Sequence, residues 1–236
     1  MAELIPSLSG RRSFLARVSA GAAAFAATLA TGAAAAQAQT PGSGGWRPAR
    51  HEKDDWLDQL PGKHRVVFDT TASDALGEAL AFAGNFIRVN RTEYDLQSSD
   101  LAILVIARHR SSGLALNDRM WEKYGQQLSA RTQFIDPKTK EPPASNLFNS
   151  TEYGSLLSNR GNTLDKLLQQ GVQFAVCGVA TRGVAGAIAE ATGQKTDDVF
   201  AELGANLISS SQARLVTAGI VAVNRAQERG YSLVTT

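Results

Sequence analysis

One cysteine, three histidines and two methionines in 236 residues narrow the chemistry before any motif is read. With Cys177 alone, no intramolecular disulfide can form, and any disulfide joins the chain to another molecule. His51, His64 and His109 are scattered, and with one cysteine they do not make the ligand set of a protein-bound zinc. Neither G-x-G-x-x-G nor G-x-x-x-x-G-K-[ST] occurs, so no nucleotide finds a phosphate-cradling motif and no cofactor is expected. An excess of one charge is lacking too. The 24 Lys+Arg face 22 Asp+Glu, and setting aside Arg11, Arg12, Arg17 and Glu3 of the first 38 residues leaves 21 against 21. A chain that neutral has no electrostatic reason to seek nucleic acid or anionic lipid.

Those first residues read as an export signal. Gly10-Arg11-Arg12-Ser13-Phe14-Leu15 matches the twin-arginine core R-R-x-F-L, the uncharged stretch 18–36 follows, and Ala36-Gln37-Ala38 is a small-x-small cleavage site. The competing reading is a transmembrane anchor, since the run is nearly long enough to span. It is mostly Ala with Gly and Thr, which contribute little transfer free energy, so residues 1–38 are expected to be a cleaved signal and the mature protein periplasmic. It would meet the membrane only during export.

Residues 39–62 form a flexible leader, Pro/Gly/Ser-rich at first and then charged, with Trp46 and Trp56 as docking groups. From residue 63 strands and helices alternate. Residues 65–69 and the continuous apolar run 100–107 read as strands, the second buried on both faces. Residues 73–91 repeat apolar side chains at helical spacing. A short helix is expected at 117–125, then a polar insertion at 129–158 with three prolines. The insertion is either a surface excursion or a covering loop anchored by Phe134, Leu147, Phe148 and Tyr153. Further helices are expected at 162–170, 179–191, 196–203 and 213–229, and further strands at 172–177, 205–209 and 230–235. The fold class is α/β, a three-layer α/β/α domain over residues 63–236 with about five mostly parallel strands.

Chemistry in such sheets gathers at the carboxyl ends of the strands. That edge is expected to carry Asp69 and Thr70, then Arg108, His109 and Arg110, then Cys177 and Gly178, and last Ser209 to Ser211. Cys177 has two readings. Free cysteine is often a small buried hydrophobe. A cysteine that ends a strand before a helix also points its sulfur at free N–H groups and the positive end of the helix dipole, which favours thiolate. His109 between Arg108 and Arg110 is a base or an anion-polarising group, or simply part of a solvated basic turn. Ser209-Ser-Ser-Gln reads as the cap of the last helix. A serine nucleophile with His109 and Asp69 would make the protein a hydrolase, although no nucleophile elbow accompanies it.

Lys63-His-Arg-Val-Val-Phe-Asp69, Val105-Ile-Ala-Arg-His109, Gly171-Val-Gln-Phe-Ala-Val-Cys-Gly178 and the closing helix into Gly230-Tyr231 together resemble the DsrE/DsrF-like proteins, more particularly an exported branch with a twin-arginine signal. The resemblance implies a DsrE-like fold and a sulfur relay in which Cys177 carries a persulfide. From their place on the strand edge Arg108 and His109 are expected to supply charge and proton exchange, whereas the resemblance reaches Cys177 alone. It also implies a sulfur donor or acceptor protein as partner and a homo-oligomer. The exported location and the 129–158 insertion depart from the relatives whose roles are cytoplasmic. A non-catalytic module that binds a small ligand or a partner, with Cys177 structural, is the alternative.

Overall fold

The computed structural model describes residues 47–236; the expected signal at 1–38 lies outside the described residues. Five strands, β1 (His64–Thr70), β2 (Leu101–Ala107), β3 (Gln173–Cys177), β4 (Ala213–Val216) and β5 (Ser232–Thr235), form one sheet in the order β4-β3-β2-β1-β5. Every pairing is parallel. β2 is buried at all seven positions, as its unbroken apolar run requires.

Helices α1 (Ser73–Tyr94), α2 (Asp118–Thr132), α3 (Leu164–Gln169), α4 (Gly178–Thr192) and α5 (Thr196–Ala205) connect the first four strands. They pack on one face of the sheet, where Leu76, Trp121, Leu167, Ile188 and Leu203 share a core with Val66, Phe68, Val105 and Phe174. Helix α6 (Gly219–Gln227) covers the other face over Val67, Leu104, Ile106 and Ala175. Part of the expected leader joins it there. Glu52–Leu57 is a 3-10 turn whose Trp56 and Leu57 belong to this second core, and Tyr231 Oη donates to the Leu57 carbonyl at 2.9 Å.

The fourth strand is not where the apolar run 205–209 suggests. Ala205 ends α5, Leu207 makes an isolated antiparallel bridge with Leu116, and Ser209 Oγ accepts from the Gln212 N–H at 3.2 Å in a turn. The sheet is extended instead by Ala213-Arg-Leu-Val216, inside the expected helix 213–229. This edge strand is only half buried after its first residue, so no apolar run marks it, and Arg214 spends its charge over the Trp56 ring at 4.3 Å. The last helix accordingly starts at Gly219 behind Ala218, and Ser209-Ser-Ser-Gln does not cap it. The expected helix 117–125 runs on to Thr132 across a non-helical Tyr124.

The 129–158 segment is packed. Phe134 and Phe148 stack with centroids 5.3 Å apart, and Asn146 Nδ2 donates to the carbonyls of Leu114 and Leu116 at 2.7 and 2.9 Å. Asp136 anchors its polar turn, accepting from Tyr153 Oη at 2.6 Å and from the Lys138 N–H at 2.7 Å. Burial pushes the Asp136 carboxyl up, but these hydrogen bonds outweigh it and hold the group below its ordinary value. The same bond, with burial, pushes the Tyr153 phenol up to about 12. A carboxyl held low in the fold stabilises above its unfolded-state value, and that contribution is lost as pH falls through the folded one. A phenol held high stabilises fully below about pH 10 and stops doing so as pH rises through the folded value. Tyr153→Phe is therefore expected to cost about 1.5 kcal/mol at neutral pH. Urea melts of wild type and variant should differ there and converge in strong acid; an equal gap at all pH values would contradict this assignment.

Candidate functional site

Side chains alternate between the faces of a strand, and this parity decides which edge residues meet. Asp69 lies two residues after Val67, Arg108 two after Ile106 and Cys177 two after Ala175. Each of those predecessors lies in the core beneath α6, so all three end residues turn to the α6 side of the carboxyl edge. Arg108 reaches back across the strands to Asp69, with Nε donating to Oδ1 at 2.7 Å and Nη2 to Oδ2 at 2.8 Å. The Asp69 side chain is 6% exposed, so its carboxylate depends on this bidentate partner. The hydrogen bond to Asp69 is also the main reason that the Arg108 guanidinium is held above its ordinary value. Burial opposes it, and the negative charges of Asp69 and of a Cys177 thiolate add to it.

Arg108 and Cys177 converge on Gly219, the first residue of α6. A Cβ there would lie 2.6 Å from Arg108 Cβ and 3.2 Å from Cys177 Cβ, so only glycine lets the helix start so close to both. Cys177 is buried, and its Sγ accepts from the Ala180 N–H at 3.4 Å. The sulfur thus serves as the N-cap of α4, satisfying one of the donors that a helix start leaves free. On the other side, a Cβ on Gly178 would come within 2.8 Å of the Val216 carbonyl oxygen.

The site sits where the chain's connections diverge. After β3 the chain enters α4 on one face of the sheet, and after the adjacent β4 it enters α6 on the other. Such a switch point opens a crevice at the carboxyl ends, where open α/β sheets bind ligands.

His109 turns away from this cluster. Its backbone is left-handed, with φ 56°, and its Nδ1 lies 3.3 Å from the Thr71 carbonyl. A carbonyl only accepts, so Nδ1 carries the proton and Nε2 is free to accept one. The reversal at His109 parts its neighbours: Arg108 goes to Asp69, while Arg110 joins His109 in lining a cavity of about 320 Å³ between α2 and α4. Arg131, Gln133, Ala180 and Gly183 also border it. Thr70 remains structural, its Oγ1 donating to the Ile106 carbonyl at 2.9 Å. Ser209 to Ser211 precede β4 rather than follow it, so they lie toward the amino edge, away from Cys177. The expected serine group at the carboxyl edge is thereby corrected. Gly219 falls inside the expected longer helix 213–229 and Arg131 in the aperiodic 129–158 stretch, so no local pattern marks either as a site residue. Among the described residues, no group of three or more His, Cys, Asp or Glu side chains converges as a metal site would require.

The fold is a three-layer α/β/α sandwich with an all-parallel sheet. No family model matches the chain, and no curated protein matches it either. Among solved structures, a protein of unknown function from Methanobacterium thermoautotrophicum, MTH1491, is similar at 20% identity and a TM-score of 0.37, over 74% of this chain and 100% of that one. A superposition that loose says nothing about what either protein does. Within this chain the Asp69–Arg108 pair makes its own demand. Arg108→Leu leaves a buried carboxylate without its cation and is expected to destabilise the fold by about 3 kcal/mol, read as a lower urea midpoint with an unchanged slope.

Proposed function

We propose that the protein is an exported, DsrE-like sulfur carrier that works through Cys177. The observation that carries this reading is the position of the sulfur: it caps α4 at the switch point between β3 and β4, beside Arg108. Cys177 is buried at the carboxyl end of β3. Among its neighbours are a helix N–H, a glycine and the stem of an arginine. Those surroundings suit a charged sulfur better than a space-filling one.

In the proposed step the Cys177 thiolate attacks the terminal sulfur of a donor persulfide. The donor S–S bond breaks, its thiolate leaves, and Cys177 holds the transferred sulfur as its own persulfide. No electrons are gained or lost overall, and the reverse attack by an acceptor thiolate discharges the sulfur. Arg108 stabilises the negative sulfur species, and His109, on the other side of the same edge, exchanges protons with it through solvent. The partners are a donor and an acceptor of persulfide sulfur.

The 7% exposure of Cys177 favours a second reading, a ligand-binding module in which the cysteine only packs. Mass spectrometry separates the two. A sulfur carrier is expected to be alkylated by iodoacetamide in the native state at neutral pH, and to gain the mass of one sulfur atom from glutathione persulfide. His109→Ala should slow both reactions. A Cys177 that reacts only after denaturation means the thiol is structural.

Export is proposed on Arg11-Arg12-Ser13-Phe14-Leu15. Replacing both arginines by lysine should leave the precursor in the cytoplasm on fractionation, and undiminished export would rule out the twin-arginine route.

A further inference from the structure

The cavity between α2 and α4 carries charge of one sign. Its titratable lining groups are His109, Arg110 and Arg131, and no carboxylate borders it. Other arginines nearby are committed: Arg108 to Asp69 at 2.7 Å and Arg182 to Asp197 at 2.6 Å. Among the described residues, Arg110 and Arg131 make no ion pair and no side-chain hydrogen bond. Cations drawn together around one hollow repel each other, and an anion between them removes the repulsion.

The hollow is shaped for one of these groups. Gly183 lies inside α4, where glycine is a poorer helix former than alanine. A Cβ at that position would sit 3.2 Å from Arg131 Nη2, so the missing side chain lets the guanidinium lie against the helix. Gln133, left-handed with φ 55°, adds an amide donor to the same wall. At about 320 Å³ the space lies at the small end of ligand pockets.

We infer that this cavity is a binding site for a compact oxyanion, held by Arg110 and Arg131 with the Gln133 amide as a further donor. The ligand chemistry is that of a tetrahedral group such as sulfate or phosphate, whose several oxygens can take both guanidinium forks. The assignment goes beyond the sulfur-carrier reading and does not rest on it, because Cys177 does not line the cavity.

Isothermal titration of the mature protein with sodium sulfate, sodium phosphate and sodium acetate, at ionic strength held constant with chloride, tests it. Saturable single-site binding of sulfate or phosphate is expected, and Arg110→Gln and Arg131→Gln should each weaken it about tenfold. Gly183→Ala should raise the melting temperature by improving α4 while weakening the anion, a split that mere unfolding cannot produce. Arg91→Gln, remote from the cavity, and Cys177→Ala should bind as the wild type does. Absence of saturable binding, preference for acetate, or equal weakening by Arg91→Gln overturns the site. Loss of binding in Cys177→Ala would move the anion to the sulfur and overturn it as well.

Discussion

Because β5 lies beyond β1 rather than beyond β4, the last crossover must travel back across the whole sheet, against the direction of the first three. Parallel crossovers are right-handed, so reversing the direction moves the connecting helix to the opposite face. That single constraint puts α6 alone over Val67, Leu104 and Ala175, while α1 to α5 crowd the other side. It also makes the chain leave β3 and β4 in opposite senses. The place of Cys177 at this switch point is a consequence of strand order before it is a property of any side chain. A small helix such as α6 cannot cover that face by itself, which explains why residues 52–57 fold onto it and why Tyr231 and Arg65 both bond to the Leu57 carbonyl.

Strand parity then sorts the edge chemistry. Asp69, Arg108 and Cys177 belong to the α6 side, and residues after the left-handed turn at His109 belong to the α2–α4 side. A left-handed non-glycine residue costs on the order of 1 kcal/mol. Here it separates two adjacent cations that would otherwise compete for one carboxylate. The Arg110 N–H bonds to the Thr71 carbonyl at 3.1 Å and the Arg108 N–H to the Thr70 carbonyl at 3.2 Å, so both sides of the turn are tied to the loop after β1. The arginine-histidine-arginine run is thus one paired guanidinium and a divergent cationic wall.

How much of this was legible depended on how strongly local pattern agreed with tertiary role. β2 was plain because a strand buried on both faces must be apolar throughout, and α1 because its 22 residues repeat over many turns. β4 was hidden because an edge strand of four residues needs no apolar run, and Arg214 in its middle is satisfied by an aromatic ring distant in sequence. The apolar 205–209 stretch misled for the converse reason: Leu207 is buried against the segment around Leu116 without entering the sheet. Of the site, the edge positions of Asp69, Arg108 and Cys177 followed from strand ends alone. Arg131 did not, since nothing in the local sequence says that an arginine ending one helix will lie over a glycine in another.

The surroundings of Cys177 show why burial by itself does not decide its role. A cysteine that fills a core is enclosed by apolar side chains, and its removal is a cavity problem. Cys177 also meets backbone, at the start of α4 and the start of α6. Gly178 brings the start of α4 against the Val216 carbonyl, and Gly219 brings the start of α6 against Cys177 and Arg108. Both close approaches need glycine, because a Cβ at either position would lie within 3.0 Å of a backbone or side-chain atom that it would have to displace. Two helix starts therefore converge on one residue, each with N–H groups that have no partner within the helix. Glycines that merely ended helices would lie at the carboxyl termini, in left-handed conformation, as Gly193 does with φ 71°. Gly178 and Gly219 instead lie at the amino termini, where their smallness serves close approach rather than chain reversal.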